Sequence, residues 1–164
     1  MATTPQISPC LWFDNQAEEA AKFYCSIFEG SKIENIAYYG KEGFDIHRRA
    51  AGSVMTVTFR LGNMQIVALN GGPVFKFSEA FSLQVFCDNQ KEVDYYWNKL
   101  GQGGEEGPCG WLKDKFGFSW QIVPSLLPKL MLDPDRQKVE RVTKAFMAMK
   151  KLDIAAIERA AAGQ

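Results

Sequence analysis

Two short patterns recur along the chain in the same order, and this duplication restricts the possible folds more than any other feature. The run SPCLWFDNQ at 8–16 aligns with SLQVFCDNQ at 82–90, a shift of 74 residues (82 − 8). The run MQIV at 64–67 aligns with WQIV at 120–123, a shift of 56 residues (120 − 64). An Asp-Asn pair is favoured at any helix start, but matches at both ends of a segment indicate a repeat. The chain therefore contains two copies of one module, with a longer loop in the first.

Each copy has the hydrophobic pattern of a strand, a helix and further strands. The predicted strands lie at 6–13, about 32–39, 54–61, 64–70, 81–88 and 118–124, and residues 107–114 form a further extended run. The first predicted helix begins at Asp14-Asn15 and ends at about residue 28. The others cover 89–100, 135–150 and 153–162. We expect an α+β fold of two βαβββ modules, at about 6–70 and 81–124. They form a single domain over 1–133, followed by a C-terminal helical extension over 134–164.

Charge and composition argue against several classes of protein. Nineteen basic residues balance nineteen acidic ones, so the basic surface that binds nucleic acid is missing. The start MATTPQISPC lacks the basic and apolar regions of a secretion signal, and no apolar run is long enough to span a bilayer. We therefore expect a cytoplasmic protein with no nucleic-acid or membrane partner.

Residue types that hold metals are few and scattered. The four cysteines, Cys10, Cys25, Cys87 and Cys109, form no CxxC pair. The sole histidine, His47, lies in a polar stretch that has the composition of a loop. One histidine cannot complete the multi-histidine sites of most catalytic zinc or iron centres, so we interpret His47 as a surface residue.

Four segments carry a resemblance to a known family. They read LWFDNQAEEAAKFYCSIF, VALNGGPVFKFSEAFSLQVFCD, GWLKDKFGFSWQIVP and MKKLDIAAIERAA. Together with the duplicated module, they make the chain resemble the PhnB-like branch of the vicinal-oxygen-chelate superfamily, which also contains glyoxalase I, extradiol dioxygenases and antibiotic-resistance proteins. That branch is catalogued as 3-demethylubiquinone 3-methyltransferase-like. The resemblance implies a cavity between the modules in which a ligand is held.

In the metal-dependent members of this superfamily, each module supplies a histidine from its first strand and a glutamate from its last. Carried over to this chain, the first-strand positions fall on Ser8 (or its neighbour Pro9) and Ser82, and the last-strand positions fall on Gln65 and Gln121. Hydroxyl and amide groups are poor ligands for zinc, nickel or iron. We therefore expect neither a metal nor another cofactor.

Strand alternation predicts which side chains line the cavity. In the first strand Ser8, Cys10 and Trp12 share a face, while the apolar opposite face should pack on the helices. The complete set of predicted ligand-binding residues is Ser8, Cys10, Trp12, Gln65, Ser82, Gln84, Cys109, Trp111 and Gln121. Two alternatives stay open: a pocket for an organic ligand, or a decayed metal site whose polar groups satisfy one another.

Strand alternation also predicts whether a tryptophan packs in the core or lines the cavity. Trp120 precedes Gln121 and should face the helices as a core residue. Trp12 and Trp111 are equally compatible with a pocket wall and with packing.

Cysteine chemistry is the remaining route to catalysis. Cys10 shares a face with Ser8, and Cys109 lies in the glycine-rich run GPCGW, where backbone amides could polarise a thiol. The one histidine available as a base is His47 in its long loop, so inert thiols are the better interpretation.

The sequence thus favours a metal-free protein that binds a small organic molecule and catalyses no identified reaction. The alternative is an enzyme of the same fold, either a lyase or isomerase of glyoxalase type or the catalogued methyltransferase. Methyl donors usually bind after a glycine-rich turn between strand and helix, whereas the first strand here continues into Asp14-Asn15-Gln16. A third possibility, a scaffold without a pocket, would have bulky side chains filling the cavity.

Because hydroxyls and amides replace the ligand set, we predict less than about 0.1 transition-metal ion per chain. Elemental analysis of protein purified without chelators measures this. About one zinc, nickel or iron per chain would contradict the prediction.

We also predict a homodimer. Open sheet edges invite pairing, and modules of this fold typically close their cavity by pairing. The tail carries an apolar stripe that either folds back over its own sheets or reaches across to a second chain. The stripe consists of Val139, Val142, Phe146, Met149, Ile154 and Ile157. Light scattering at micromolar concentration should give twice the chain mass of 18.4 kDa, and the mass of a single chain would exclude the dimer.

Overall fold

The computed structural model describes residues 6–164, which form two compact units with the boundary between Lys76 and Phe77. Each unit carries one four-stranded sheet. No helix within residues 6–164 is long and apolar enough to cross a membrane.

The first unit is a βαβββ module with one additional short helix. Its elements are β1 (Cys10–Phe13), α1 (Ala17–Ile27), β2 (Lys32–Tyr38), α2 (Phe44–His47), β3 (Val54–Leu61) and β4 (Met64–Asn70). The strand order is β1-β4-β3-β2; β1 is parallel to β4 and the other neighbours are antiparallel. Although α1 connects β1 to β2 along the chain, the neighbour of β1 in the sheet is β4, the last strand of the module.

Helix α1 covers one face of this sheet. It buries five residues: Ala17, Ala20, Ala21, Tyr24 and Ile27. The small alanines let the helix approach β3 and β4, whose residues Val57, Phe59, Ile66 and Ala68 are fully buried. Burial of each large apolar side chain contributes about 1.5–3 kcal/mol, so this layer is the core of the first unit.

The start of α1 is capped from a distant strand. Asn70, the last residue of β4, accepts a hydrogen bond at Oδ1 from the Ala17 N–H (2.8 Å) and donates from Nδ2 to the Val54 carbonyl (3.0 Å). The Asp14-Asn15 pair, which the sequence suggests as the helix start, precedes α1 without capping it, since the N-cap residue Gln16 makes no side-chain cap. The helix is therefore tied directly to the strand that ends the module.

The second unit repeats the module and adds three C-terminal helices. Its elements are β5 (Ser82–Cys87), α3 (Gln90–Gly101), β6 (Glu105–Glu106), β7 (Trp111–Lys113), β8 (Ser119–Pro124), α4 (Leu126–Met131), α5 (Arg136–Met147) and α6 (Ile154–Ala162). The strand order is β5-β8-β7-β6, again with the first and last strands of the module parallel. The predicted α+β fold of two βαβββ modules with a helical extension is confirmed.

Helix α3 begins at a reciprocal cap. Asn89 accepts at Oδ1 from the Glu92 N–H (3.0 Å), and Glu92 accepts at Oε2 from the Asp88 N–H (2.8 Å). This capping box satisfies two backbone donors that a helix start leaves free. The helix packs on β7 and β8 and buries Val93, Trp97 and Leu100. Trp120 is buried as predicted, with 2% of its surface exposed.

The tail packs on its own unit. Val142, Leu152 and Ile157 form one buried cluster with Val123 of β8 and Leu127 of α4. Phe146 and Met149 pack against the same cluster. Of the two arrangements open to the tail stripe, the structure has the one in which the tail folds back on its own unit, so the stripe gives no support to a dimer. The homodimer remains a prediction based on the sheet edges and the family resemblance.

Several short elements differ from the prediction. The first strand starts at Cys10 rather than at residue 6, and α2 lies inside the stretch predicted as a loop. His47, predicted at the surface, is half-buried against the Tyr39 ring with 4.5 Å between the ring centroids. Its Nδ1 accepts from the Arg49 N–H (3.0 Å), and its Nε2 lies 3.1 Å from the Glu42 carbonyl oxygen. These contacts order the loop.

Gly71 is required next to Trp12. A Cβ at position 71 would overlap the indole ring, which is held by a hydrogen bond from Nε1 to the Gly72 carbonyl (2.8 Å). We expect Gly71→Ala to lower the free energy of unfolding by about 1–3 kcal/mol, as overpacking does. Urea denaturation measures the change.

The matched control is Gly40→Ala, where the nearest atom to the added Cβ lies 3.9 Å away. We expect its free energy of unfolding to change by less than about 1 kcal/mol. Equal destabilisation by the two variants would contradict the role of Trp12.

Candidate ligand-binding site

One face of the second sheet carries four of the nine residues that the sequence nominates, namely Ser82, Gln84, Trp111 and Gln121. Residues of β8 alternate, so that Trp120 and Ile122 are buried on the α3 side and Gln121 lies on the other side. The strand register places further residues on the same face of the sheet as Gln121, and we call this face the polar face. It consists of Ser82, Gln84, Trp111, Lys113, Ser119 and Gln121.

A chain of hydrogen bonds connects three of these side chains. Gln121 donates from Nε2 to the Ser82 hydroxyl (2.8 Å), and Gln84 donates from Nε2 to Gln121 Oε1 (3.1 Å). The parallel register of β5 and β8 places Gln84 directly opposite Gln121. The structure therefore brings Ser82, Gln84 and Gln121 together, as a neutral group able to donate and accept hydrogen bonds.

A cavity of about 350 Å³ is lined by Ser119 and Trp111, which pair with Ser82 and Gln121 in the strand register, although Ser82, Gln84 and Gln121 do not line it themselves. Its lining residues come from β6, β7, β8 and the segment before β5; they are Glu79, Glu105, Glu106, Gly107, Pro108, Trp111, Leu112, Lys113 and Ser119. Trp111 pairs with Gln121 in the register, and Lys113 pairs with Ser119. The cavity thus combines an apolar wall with a few polar groups, which is the usual composition of a small-molecule site.

Ser119 stands out in this lining. Its side chain is 1% exposed, and its hydroxyl forms no hydrogen bond with any group in residues 6–164. Burial of an unsatisfied hydroxyl costs about 1–3 kcal/mol. Ser31 shares this property in the first unit but is not among the residues that line this cavity. A ligand in the cavity is one way to satisfy the Ser119 hydroxyl.

Charged groups surround the same cavity. Lys113 Nζ lies 2.5 Å from Glu79 Oε1. This hydrogen bond raises the pKa of Lys113 and lowers that of Glu79, and the charge of Glu105 raises the pKa of Lys113 further. Glu106 accepts from Trp97 Nε1 (3.2 Å) and lies 4.0 Å from Lys150 Nζ. Both shifts favour the charged forms of Lys113 and Glu79 at neutral pH.

The first unit keeps the corresponding polar positions in a different arrangement. The Ser8 hydroxyl donates to the Gln65 backbone carbonyl (2.6 Å), and Gln6 donates from Nε2 to Gln65 Oε1 (2.9 Å). Cys10 is exposed on the same side of the sheet. Trp12 has its N–H bonded to Gly72 and its ring edge-on to Phe75. That the Ser-Gln pairs of the two units lie together remains a prediction.

The predicted nucleophiles lie in surroundings that do not activate a thiol. The Cys109 and Gly110 N–H groups, suggested to polarise the Cys109 thiol, instead donate to the Met149 and Lys150 carbonyls (2.7 Å each). Cys109 is absent from the cavity lining given above. Partial burial raises the pKa of the Cys10 thiol, although its side chain is exposed. Thiolate chemistry at neutral pH is disfavoured at Cys10.

The donor set does not fit a transition metal. Within residues 6–164, no three His, Cys, Asp or Glu side chains lie close enough together to hold an ion. In the second unit the quartet positions, Ser82 and Gln121, are neutral and hydrogen-bond to each other. S-adenosylmethionine fits no better, because both strand-to-helix connections, residues 14–16 and 88–89, lack glycine.

Sequence reasoning missed part of the site. Ser119 lies two residues before Gln121 in the strand, so alternation could have placed it on the same face. Glu79 reaches Lys113 from a connecting segment, and Glu105 lies on a two-residue edge strand. Neither of these carboxylates has a sequence signal.

Comparisons with known proteins agree with the fold. The family model described as 3-demethylubiquinone-9 3-methyltransferase matches residues 5–123. The PhnB protein from Bacillus cereus is 32% identical, with 73% of this chain and 99% of that chain covered and a TM-score of 0.63. No curated protein matches.

Two more distant structures share the fold. Protein PA1353 from Pseudomonas aeruginosa is 20% identical (74% and 98% covered, TM-score 0.58), and the fosfomycin resistance protein FosX from Mesorhizobium loti is 12% identical (80% and 100% covered, TM-score 0.56). With a family model that matches most of the chain and a PhnB protein 32% identical to it, the chain belongs to the PhnB-like, 3-demethylubiquinone-9 3-methyltransferase family of the vicinal-oxygen-chelate superfamily.

Proposed function

We propose that this protein binds a small organic molecule on the polar face of its second unit, without a metal ion. The observation that carries the proposal is Ser119, a lining residue of a cavity of about 350 Å³ whose buried hydroxyl has no partner within residues 6–164. A polar group is rarely buried without a partner. A ligand that reaches this hydroxyl recovers the lost hydrogen bond.

The neighbouring groups suit such a ligand. Trp111 and Pro108 supply apolar wall for affinity, and Ser82, Gln84 and Gln121 supply polar groups on the same face of the sheet. The alternative of a filled, decayed metal site accounts for the hydrogen bonds among these polar side chains. It does not account for the cavity that Ser119 and Trp111 line.

Absence of a metal belongs to the same proposal. Hydroxyls and carboxamides are weak ligands for transition metals, and Ser82 and Gln121 already satisfy each other. Binding would then depend on hydrogen bonds and apolar contact alone.

The proposal also includes a homodimer in the cytoplasm. Its four cysteines are free thiols, which suits a reducing compartment. Each sheet ends in strands with open edges, β1 and β2 in the first unit and β5 and β6 in the second, and edges of this kind favour pairing between chains.

Binding of a neutral aromatic alcohol tests the proposed site. We expect 2-phenylethanol to bind at one site per chain, and Ser119→Ala to weaken its affinity about two- to tenfold, because one hydrogen bond is lost. Isothermal titration calorimetry measures both affinities.

Ser26→Ala is the matched control, since Ser26 is exposed on α1 and its hydroxyl donates to the Phe23 carbonyl (2.7 Å). Its affinity should equal that of the unmodified protein. If the alcohol fails to bind, or if Ser119→Ala binds it as tightly as Ser26→Ala does, the proposed site is wrong.

A further inference from the structure

We infer that the cavity of the second unit selects organic cations, that is, ligands with an ammonium group attached to an apolar and preferably aromatic body. This inference rests on the proposed function and names the chemical class of its ligand. Three independent features of the lining support it: the balance of charge, the aromatic wall and the unpartnered hydroxyl.

The balance of charge is negative. Among the described residues that line the cavity, three carry carboxylates (Glu79, Glu105 and Glu106) and one carries an ammonium group (Lys113). Glu79 neutralises Lys113 at 2.5 Å. An anionic ligand would have to displace Glu79 and approach Glu105, which pairs with Lys113 in the strand register, whereas Glu106 is bound to Trp97 Nε1 and lies 4.0 Å from Lys150 Nζ. A cation is attracted without displacing any group.

Trp111 supplies a surface for the cation and its apolar body. The residue is half-buried on β7 and lines the cavity. The face of an indole ring attracts ammonium groups, with a contribution of about two- to fivefold in affinity at an exposed site. Trp111 therefore favours a cation over an uncharged ligand of the same shape.

The position of Trp111 is fixed before a ligand binds. The turn that precedes it is tied to the tail by the Cys109 and Gly110 N–H groups, and the Gly107 N–H donates to the Trp111 carbonyl (2.8 Å). A Cβ at Gly107 would lie only 3.0 Å from that carbonyl oxygen. A wall that is already ordered loses little conformational entropy on binding.

Ser119 supplies the hydrogen-bond acceptor. Its hydroxyl is buried and unpartnered within residues 6–164, and it lies opposite Lys113 in the β7–β8 register. An ammonium group has three donors and no acceptor, so it can donate to this oxygen. The hydroxyl is independent of the acidic residues, and it points to a ligand that reaches the buried side of the cavity.

Three probes of similar shape test the class of ligand. They are phenethylammonium, neutral 2-phenylethanol and anionic 3-phenylpropionate, titrated calorimetrically at neutral pH into the full-length protein. We expect the cation to bind about two- to fivefold more tightly than the alcohol, and the anion to bind most weakly. Raising the salt concentration should reduce the advantage of the cation, because exposed carboxylates are screened.

Glu105→Gln removes one carboxylate while keeping the shape of the side chain. We expect it to weaken binding of the cation about two- to fivefold more than it weakens binding of the alcohol. Glu140→Gln on α5 is the matched control, because Glu140 is exposed and lies outside the cavity lining. Circular dichroism melting curves confirm that both variants fold.

The outcomes separate the two proposals. If the alcohol binds in a Ser119-dependent manner but the cation binds no more tightly, the inference about organic cations is wrong and the proposed function stands. Tightest binding by the anion, or equal weakening of cation and alcohol in Glu105→Gln, also overturns the inference. If none of the three probes binds, the proposed function fails together with it.

Discussion

Parallel pairing between the first and last strands of each module is the constraint on which the rest of the structure depends. A parallel pair needs a crossover connection, and here α1 and α3 begin that connection and cover one face of their sheets. Residues far apart in sequence therefore meet on the uncovered face. In the second unit this register sets Gln84 against Gln121 and Ser82 against Ser119. The polar face is thus a consequence of how the module closes.

The second constraint is the β7–β8 hairpin, which a buried carboxylate organises. Asp114 accepts at Oδ1 from the Phe116 N–H (2.8 Å) and the Phe118 N–H (3.1 Å), and at Oδ2 from Trp120 Nε1 (2.8 Å). It is 2% exposed. Three donors compensate the cost of burying a charged group. The turn also fixes the register that places Lys113 opposite Ser119, so a core interaction on one side of the sheet positions the site on the other.

Local pattern predicts the fold better than it predicts the site. Alternation and the turn at Gly62-Asn63 are enough to predict β3 and β4 with the bounds observed, because both strands are long and have one apolar face. Helix α2 could not be predicted from the local pattern. Arg48, the residue that ends it, has a left-handed backbone conformation, whereas a sequence normally marks such a helix end with glycine. Alternation also predicts that Gln121 faces away from the helix. The pairing of Glu79 with Lys113 depends on the path of a connecting segment, which has no periodicity to interpret.

Neutral side chains at Ser82 and Gln121, with Gln84, satisfy one another on the polar face by hydrogen bonds. The resemblance to metal-dependent relatives implies a glutamate where this chain has Gln121. A carboxylate there would lose the amide hydrogens that now satisfy the Ser82 hydroxyl, and would add negative charge beside a cavity that already has three carboxylates. Such a charge is tolerated next to a bound cation and is costly without one. Glutamine at position 121 instead satisfies Ser82 through its amide and adds no charge, so the hydrogen-bonded side chains on the polar face need no cation to balance them.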